Sequence, residues 1–365
     1  MKYYIIAGEA SGDLHGSNLM KAIKLKDSTA DFRFFGGDKM KAVDGNLVMH
    51  YKEMAFMGFV EVVKNISTIL KNLKKAKEDL ILFKPNVLIL IDYPGFNLKI
   101  ARFAKENGIK VHYYISPKVW AWKEGRVKSI KKYVDKMITI LPFETEFYET
   151  HNYNVNYVGN PLLDEINNYK NNSEVLKSTK PILALLPGSR QQELENMLPI
   201  MARSAKFFKD QFSIYIACTP NFDLSFYKNL VEDLDATYLV DQTYDILNSA
   251  KLAMVTSGTA TLEAGIFNVP QVVCYKGNKL TIWIARKLVK LNYISLVNLI
   301  MDKMVVRELI QEDFTVDNVT KALKYFQTEE GKAEITLNYS ILNEKLGGSG
   351  ASLRAAELIV NDISK

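Results

Sequence analysis

Short apolar runs alternate with longer amphipathic stretches along the whole chain. Lys2–Ala7 has the composition of a buried strand, and a glycine-containing turn and a helix through Leu25 follow it. Phe32–Phe35, Asn86–Ile91 and Lys110–Ile115 repeat the strand pattern, with helical spacing over Leu98–Glu106 between the last two. From Tyr169 to Lys180 the composition shifts to Asn, Ser and Lys, which predicts a linker. The pattern then restarts with strands at Pro181–Leu186, Ser213–Ala217, Ala236–Val240, Leu252–Thr256 and Gln271–Tyr275. A last helix, Ala351–Ile363, follows Gly347-Gly348-Ser349-Gly350. Strands that alternate with helices predict parallel βαβ units, hence an α/β fold. The expected domains are residues 1–170 and 180–345, followed by a C-terminal helix at 351–365.

Composition adds exclusions. A chain of 365 residues, 48% hydrophobic and 24% charged, is a globular protein of about two domains rather than a disordered chain or a fibre. The two cysteines, Cys218 and Cys274, exclude a disulfide framework and fit a reducing cytoplasm. No window has the ~18 apolar residues of a spanning helix, and Glu9 and Asp13 come too early for a signal peptide. The net charge of +6 is uneven: residues 1–170 hold 26 lysines and arginines against 19 acids, and the remainder 21 against 22. The first half is therefore the one to face something anionic, although solvated helix lysines produce the same excess.

Five stretches carry candidate chemistry, and all but the last join a strand end to a turn or helix. Ala7–Gly16 is a small-residue loop without the dinucleotide fingerprint. It is either a tight turn capped by Asp13 or a sugar-hydroxyl site with Glu9 as acceptor. Asp92 follows five aliphatic residues, where it is either a helix cap or a carboxylate of raised pKa able to act as a base. In Leu186–Glu193, Ser189 and Gln192 fit a capping box, and Arg190 offers a forked phosphate donor; an ordinary capped helix is the alternative. Ser257, Gly258 and Thr259 supply hydroxyls and N–H groups at another helix start, with Glu263 one turn further in to take a ribose diol. Together these two loops would hold a nucleotide. Asn298 and the run Arg307–Gln311 point weakly to base or ribose recognition. The four histidines are scattered, no acids have ligand spacing, and there is no P-loop, so no metal or cofactor is expected.

Several blocks then resemble one family. Ala7-Gly8-Glu9-Ala10-Ser11-Gly12-Asp13, Met57–Val62, Ile91-Asp92 with Pro94 and Phe96-Asn97, and Ser116-Pro117 with Val119-Trp120-Ala121-Trp122 are similar to those of the lipid-A-disaccharide synthases. Leu141–Glu144, Leu185–Arg190 and Ser257–Glu263 continue the match in order. The resemblance implies a metal-free GT-B glycosyltransferase, with an acceptor-binding, membrane-facing first domain and a UDP-sugar-binding second domain, both Rossmann-like, facing across a cleft, and with the helix at 351–365 crossing back to the first. It would join UDP-2,3-diacylglucosamine to 2,3-diacylglucosamine 1-phosphate (lipid X) by inversion, giving a β-1,6 disaccharide phosphate and UDP. It implies Asp92 as base and Glu9 in the catalytic, acceptor half, with Ser11 and His15 nearby. UDP would contact Arg190, Ser189, Ser257, Gly258, Thr259, Glu263, Asn298, Glu308 and Gln311. Gly95, Asn160 and Val297 stand where the family usually has Asp, His and Pro. Another GT-B UDP-sugar enzyme and a non-catalytic nucleotide-sugar binder are the competing readings.

Lipid substrates imply work at the inner face of the inner membrane, as a peripheral protein on an anionic surface without nucleic acid; the sequence sets no oligomeric state. The expected contact is the apolar block holding Phe56, Met57 and Phe59, followed by an amphipathic helix. Ile66, Ile69, Leu70, Leu73 and Leu80 share one face of it, and Lys64, Lys71, Lys74 and Lys75 the other. A helix packed on the sheet with its lysines in water is the alternative. The next candidate is Thr281–Ile300, with Trp283, Arg286, Lys287 and Lys290.

Overall fold

The computed structural model describes residues 1–54, 65–277 and 292–364. The chain divides into two compact units, one made of Met1–Pro161 with Gly347–Lys365 and the other of Leu162–Leu346. Phe56, Met57, Phe59 and Lys64 lie outside the described residues, as do Trp283, Arg286, Lys287 and Lys290.

The first unit is built on seven strands: β1 (Lys2–Ala7), β2 (Asp31–Gly36), β3 (Asn46–His50), β4 (Val87–Ile91), β5 (Lys110–Tyr114), β6 (Lys136–Thr139) and β7 (Asn156–Tyr157). They pair in parallel in the order β3-β2-β1-β4-β5-β6-β7. Successive side chains on a strand point to opposite faces. Tyr4 and Ile6 of β1 and Leu88 and Leu90 of β4 therefore enter one core, with Leu73, Leu80 and Ile100. Tyr3, Ile5 and Ala7, with Val87, Ile89 and Ile91, enter the other, against Leu19, Ile23, Ala356 and Ile359. Burial on both faces is why these strands are continuous apolar runs rather than alternating ones.

The helix Ala351–Ile363 thus belongs to the first unit's core. Arg354 ties its start to the sheet, donating from Nε to the Val158 carbonyl at 2.8 Å and from Nη1 to that of Ser349 at 2.8 Å. At the far end Asp362 meets Nε2 of buried His112 at 2.9 Å and the ammonium groups of Lys110 and Lys136, each at 3.1 Å.

The second unit carries β8 (Ile182–Leu186), β9 (Ser213–Cys218), β10 (Thr237–Val240), β11 (Ala250–Thr256), β12 (Gln271–Tyr275) and β13 (Arg307–Ile310). Their parallel order is β10-β9-β8-β11-β12-β13. The stretch expected to open the linker is helical instead: Pro161–Asn172 is one helix. Tyr169 packs edge-on against Tyr244 and Phe267, and Lys170 donates to the Ile266 carbonyl at 3.1 Å. The helix ends at Asn172, and the rest of the expected linker, residues 173–180, forms neither helix nor strand. Both cysteines are buried and free.

The basic helix is Ile66–Phe83, and it splits the expected apolar stripe. Leu73 and Leu80 turn inward with Ala76 and Phe83, whereas Ile66 and Leu70 stay exposed, joined by Ile81 and Leu82. Lys71, Lys74 and Lys75 are exposed; Lys75 donates to the Val48 carbonyl at 2.9 Å. No helix among the described residues is long and apolar enough to cross a membrane.

Candidate functional site

In an open parallel sheet, loops diverge where the strand order reverses, and ligands bind there at the carboxyl ends. In the first unit that point lies between β1 and β4, which pair through Ala7 and Ile91. Glu9 follows β1 and Asp92 follows β4, so the two carboxylates flank the reversal. Gly8 lets the loops meet: a Cβ there would lie 2.4 Å from Cγ of Tyr93.

Asp92 is no helix cap, since Tyr93 holds the N-cap position of the helix Pro94–Glu106. Asp92 and Tyr93 both take left-handed φ values, 41° and 49°, which non-glycine residues adopt at a cost. The geometry is braced from outside. The Tyr113 hydroxyl donates to the Asp92 carbonyl at 2.5 Å, and the buried Asn97 amide donates to it at 2.7 Å. Tyr93 is pinned through its hydroxyl to the Met54 carbonyl at 2.8 Å. Burial pushes the Asp92 carboxyl up to about 6, Glu9 adds to the rise, and Lys118 and the Tyr93 amide oppose it.

The neighbouring residues sort differently from the expectation. Asp13 does not cap its own helix, Ala10–Lys26. Its buried carboxylate accepts from the amides of Gly37 (2.7 Å), Lys39 (3.0 Å) and Met40 (3.0 Å), fixing the turn after β2. Ser11 is exposed in the first turn. His15 is buried and its ring is held neutral, with the pKa lowered to about 4 by desolvation. A Cβ on exposed Gly95 already has open space around it, so packing does not explain the missing acid. Sequence reasoning left out Glu144, Tyr113 and Lys118. Glu144 is buried after β6 and accepts from Trp120 Nε1 at 3.2 Å and from the Leu141 amide at 3.0 Å. Burial raises its pKa to about 7, with Asp92 contributing. Its signal in the sequence was its place in the block Leu141–Glu144, which carries the family resemblance but assigns it no role.

The second unit repeats the arrangement at the β8–β11 reversal, where Leu186 pairs with Val255. Gly188 has φ 106°, and a Cβ there would lie 2.4 Å from Oε2 of Glu193. That carboxylate takes the amides of Ser189 at 3.0 Å and Arg190 at 3.3 Å. The capping acid of the helix Gln191–Ala205 is therefore Glu193, not the expected Ser189–Gln192 pair. Arg190 sits at the helix start with an exposed side chain, 3.5 Å from Glu193.

On the facing loop, Gly258 precedes the helix Thr259–Ile266, and the Ser257 hydroxyl donates to the Ile294 carbonyl at 3.0 Å. Burial raises the Glu263 carboxyl to about 7, and it faces the Tyr244 hydroxyl at 3.3 Å. Asn298 is a framework residue. Its amide donates to the Val306 carbonyl and to Glu308, and its oxygen accepts from the amides of Val305 and Val306. Glu308 accepts from Ile294 N, from the amide and hydroxyl of Ser295, and from Asn298, and so shapes the loop before the helix Leu296–Met301. Gln311 exchanges two hydrogen bonds with the backbone of Gly277. Among the described residues no cluster of three His, Cys, Asp or Glu could hold a metal.

Two doubly wound sheets, each with polar loops at its reversal point, define the GT-B class of two-unit enzymes. Solved structures share the fold. A glycosyltransferase of kitacinnamycin superposes with TM-score 0.70 at 12% identity, covering 99% of this chain and 98% of that one. The UDP-GlcNAc 2-epimerase of Methanocaldococcus jannaschii, in complex with UDP-GlcNAc and UDP, gives 0.66 at 14%, covering 99% and 100%. At such identities the likeness is one of fold alone. Sequence is more specific: the family model for lipid-A-disaccharide synthetase matches residues 3–361. The lipid-A-disaccharide synthase of Syntrophus aciditrophicus is 37% identical over 382 residues, and that of Geobacter metallireducens 36% over 373, each across 99% of this chain and 97% of that protein. The chain belongs to the lipid-A-disaccharide synthetase family.

Proposed function

We propose that this enzyme transfers 2,3-diacylglucosamine from its UDP derivative to the 6-hydroxyl of 2,3-diacylglucosamine 1-phosphate, in one inverting displacement with Asp92 as general base. The observation that carries this is the Asp92 carboxyl, braced at the reversal of a parallel sheet beside Glu9 and raised to about 6. A base whose pKa lies just below neutrality is ionised at pH 7 yet still takes a proton effectively.

UDP-sugars are α-linked and the product is β, so inversion needs one base and no covalent intermediate. Asp92 takes the proton of the acceptor 6-hydroxyl. That oxygen bonds to the donor C1, and the bond from C1 to the UDP oxygen breaks, its electron pair leaving with UDP. Arg190 and the N-terminus of the helix Thr259–Ile266 would offset the charge that develops on the leaving diphosphate. Glu263 would take the ribose diol, and Ser189, Ser257, Gly258 and Thr259 would line the nucleotide. Glu308 and Gln311 would support it by shaping the loop that Asn298 locks. Glu9, Ser11 and His15 would border the acceptor.

The test is a product assay. Incubation with both substrates should give UDP and the disaccharide phosphate in equal amounts. UDP release that does not depend on the acceptor would make the protein a hydrolase. Epimerised donor without a disaccharide would favour the epimerase reading.

A further inference from the structure

The segment after β5 is strongly cationic and begins beside the proposed base. Residues 118–132 hold Lys118, Lys123, Arg126, Lys128, Lys131 and Lys132 against a single acid, Glu124. Glu124 is engaged elsewhere, 3.1 Å from His151. Among the described residues Lys118, Lys123 and Arg126 form no ion pair with a carboxylate. Two of them gather on the indole of Trp122, which is 51% exposed: Lys123 Nζ lies 4.3 Å and the Arg126 guanidinium 5.8 Å from the ring. Cations held on an exposed aromatic face and not neutralised by the protein are placed for an external anion.

Their position is specific. The loop leaves the carboxyl end of β5, whose Ile115 carbonyl accepts from the Asp92 amide at 3.2 Å. Lys118 lies within electrostatic reach of the Asp92 carboxylate, and Arg126 within reach of Tyr113, the residue that braces the Asp92 carbonyl. The acceptor of the reaction proposed above carries its nucleophile on C6 and a phosphate on C1 of the same hexose. A base that reaches the 6-hydroxyl therefore has a dianion one ring-width away.

We propose that Lys118 and Arg126, with the Trp122 face beneath Arg126, form the binding site for the acceptor's phosphate monoester. The proposal rests on the transferase reading above and extends it to how the acceptor is oriented. Arg126 supplies the forked donor and Lys118 the mobile point charge, so the phosphate anchors one end of the sugar and aims the other at Asp92.

Steady-state kinetics in neutral detergent micelles test it, with the acceptor presented with and without its phosphate. Lys118→Ala and Arg126→Ala should each raise KM for the phosphorylated acceptor by about tenfold to a hundredfold, the worth of a charge-assisted hydrogen bond. KM for the dephosphorylated acceptor and for the UDP-sugar should change less than about threefold, within the scatter of single substitutions; kcat is no readout for Lys118→Ala, because Lys118 also opposes the rise of the Asp92 carboxyl. Lys118→Arg should recover most of the loss. Equal losses for the two acceptors overturn the proposal. So does unaltered discrimination combined with lost sedimentation on anionic vesicles, which would assign the cations to lipid headgroups. Wild-type protein that makes no disaccharide refutes the transferase reading instead. Calorimetric titration with glucosamine 1-phosphate then still decides the site: binding weakened by Lys118→Ala supports it, and binding equal to wild type refutes it.

Discussion

Asp92 combines three things a base needs: a strained backbone that turns it out of the strand, burial that raises its pKa, and a neighbour of like charge. Asp92→Asn should lower turnover by roughly 10²–10⁴-fold, the usual contribution of a general base, with UDP affinity kept because its proposed contacts lie in the other unit. Turnover near wild type, read beside a UDP titration, would move the base to Glu9 or His15. The pH profile carries a second expectation. Only ionised Asp92 accepts a proton, so kcat/KM should fall as pH drops below about 6. Glu9 raises that value, so Glu9→Gln should move the acid limb to lower pH; a limb that stays in place means the two carboxylates are not coupled in solution.

At the scale of elements, carboxylates hold backbone amides of the turns after strands. Asp13 leaves one helix to satisfy three amides of the Gly36–Met40 turn, and Glu193 closes the loop that carries Arg190. Asp13→Ala strands those three donors in a buried setting, so a loss of about 2–4 kcal/mol is expected by urea denaturation, with Asp13→Asn less damaging. A change below about 0.5 kcal/mol, the range of ordinary surface substitutions, would mean that water reaches the turn. The helix Ile66–Phe83 shows the other side of element-level reasoning. Its inner stripe is consumed by the sheet, and a second strip of Ile66, Leu70, Ile81 and Leu82 stays outside among lysines.

At the scale of the whole molecule, the lipid substrates proposed above make that strip the candidate contact with an anionic membrane. Replacing Leu70, Ile81 and Leu82 by Ser and Lys71, Lys74 and Lys75 by Glu should release the protein from anionic liposomes, and high salt should do so in part. Sedimentation unchanged by either set would move the surface elsewhere. The chain also closes on itself, because its last helix fills a core built by its first residues. Ending the chain at Leu346 would uncover Ile5, Leu19 and Ile23, so the truncated protein should be insoluble or bind a hydrophobic dye. Asp362→Asn, which removes the carboxylate charge shared by Lys110, His112 and Lys136, should cost about 1–3 kcal/mol in urea. A truncated protein that melts like the full chain would refute this role for the helix.

Much of this was legible in sequence, for a local reason. A strand buried on both faces must be apolar throughout, so β1, β4, β8 and β11 stand out, and the turns after them hold Glu9, Asp92, Arg190 and Ser257. Of the four edge strands only β10 stood out, as Ala236–Val240. β7 has two residues, Asn156 and Tyr157, and β13 begins with Arg307 and Glu308, because an edge needs little apolar side chain. Spacing along the chain also cannot say which of several possible partners a side chain takes. Asp13 looked like a cap for its own helix and served another turn; Ser189 and Gln192 looked like a box that Glu193 supplied; Asn298 had the polarity of a ligand contact and spends its amide on the protein. In the same way a helical wheel groups Ile66 with Leu73 but does not say that only Leu73 is covered. Desolvation decides the rest. The raised carboxyls of Asp92, Glu144 and Glu263 come from neighbours distant in sequence that exclude water, and only the folded chain brings those neighbours together.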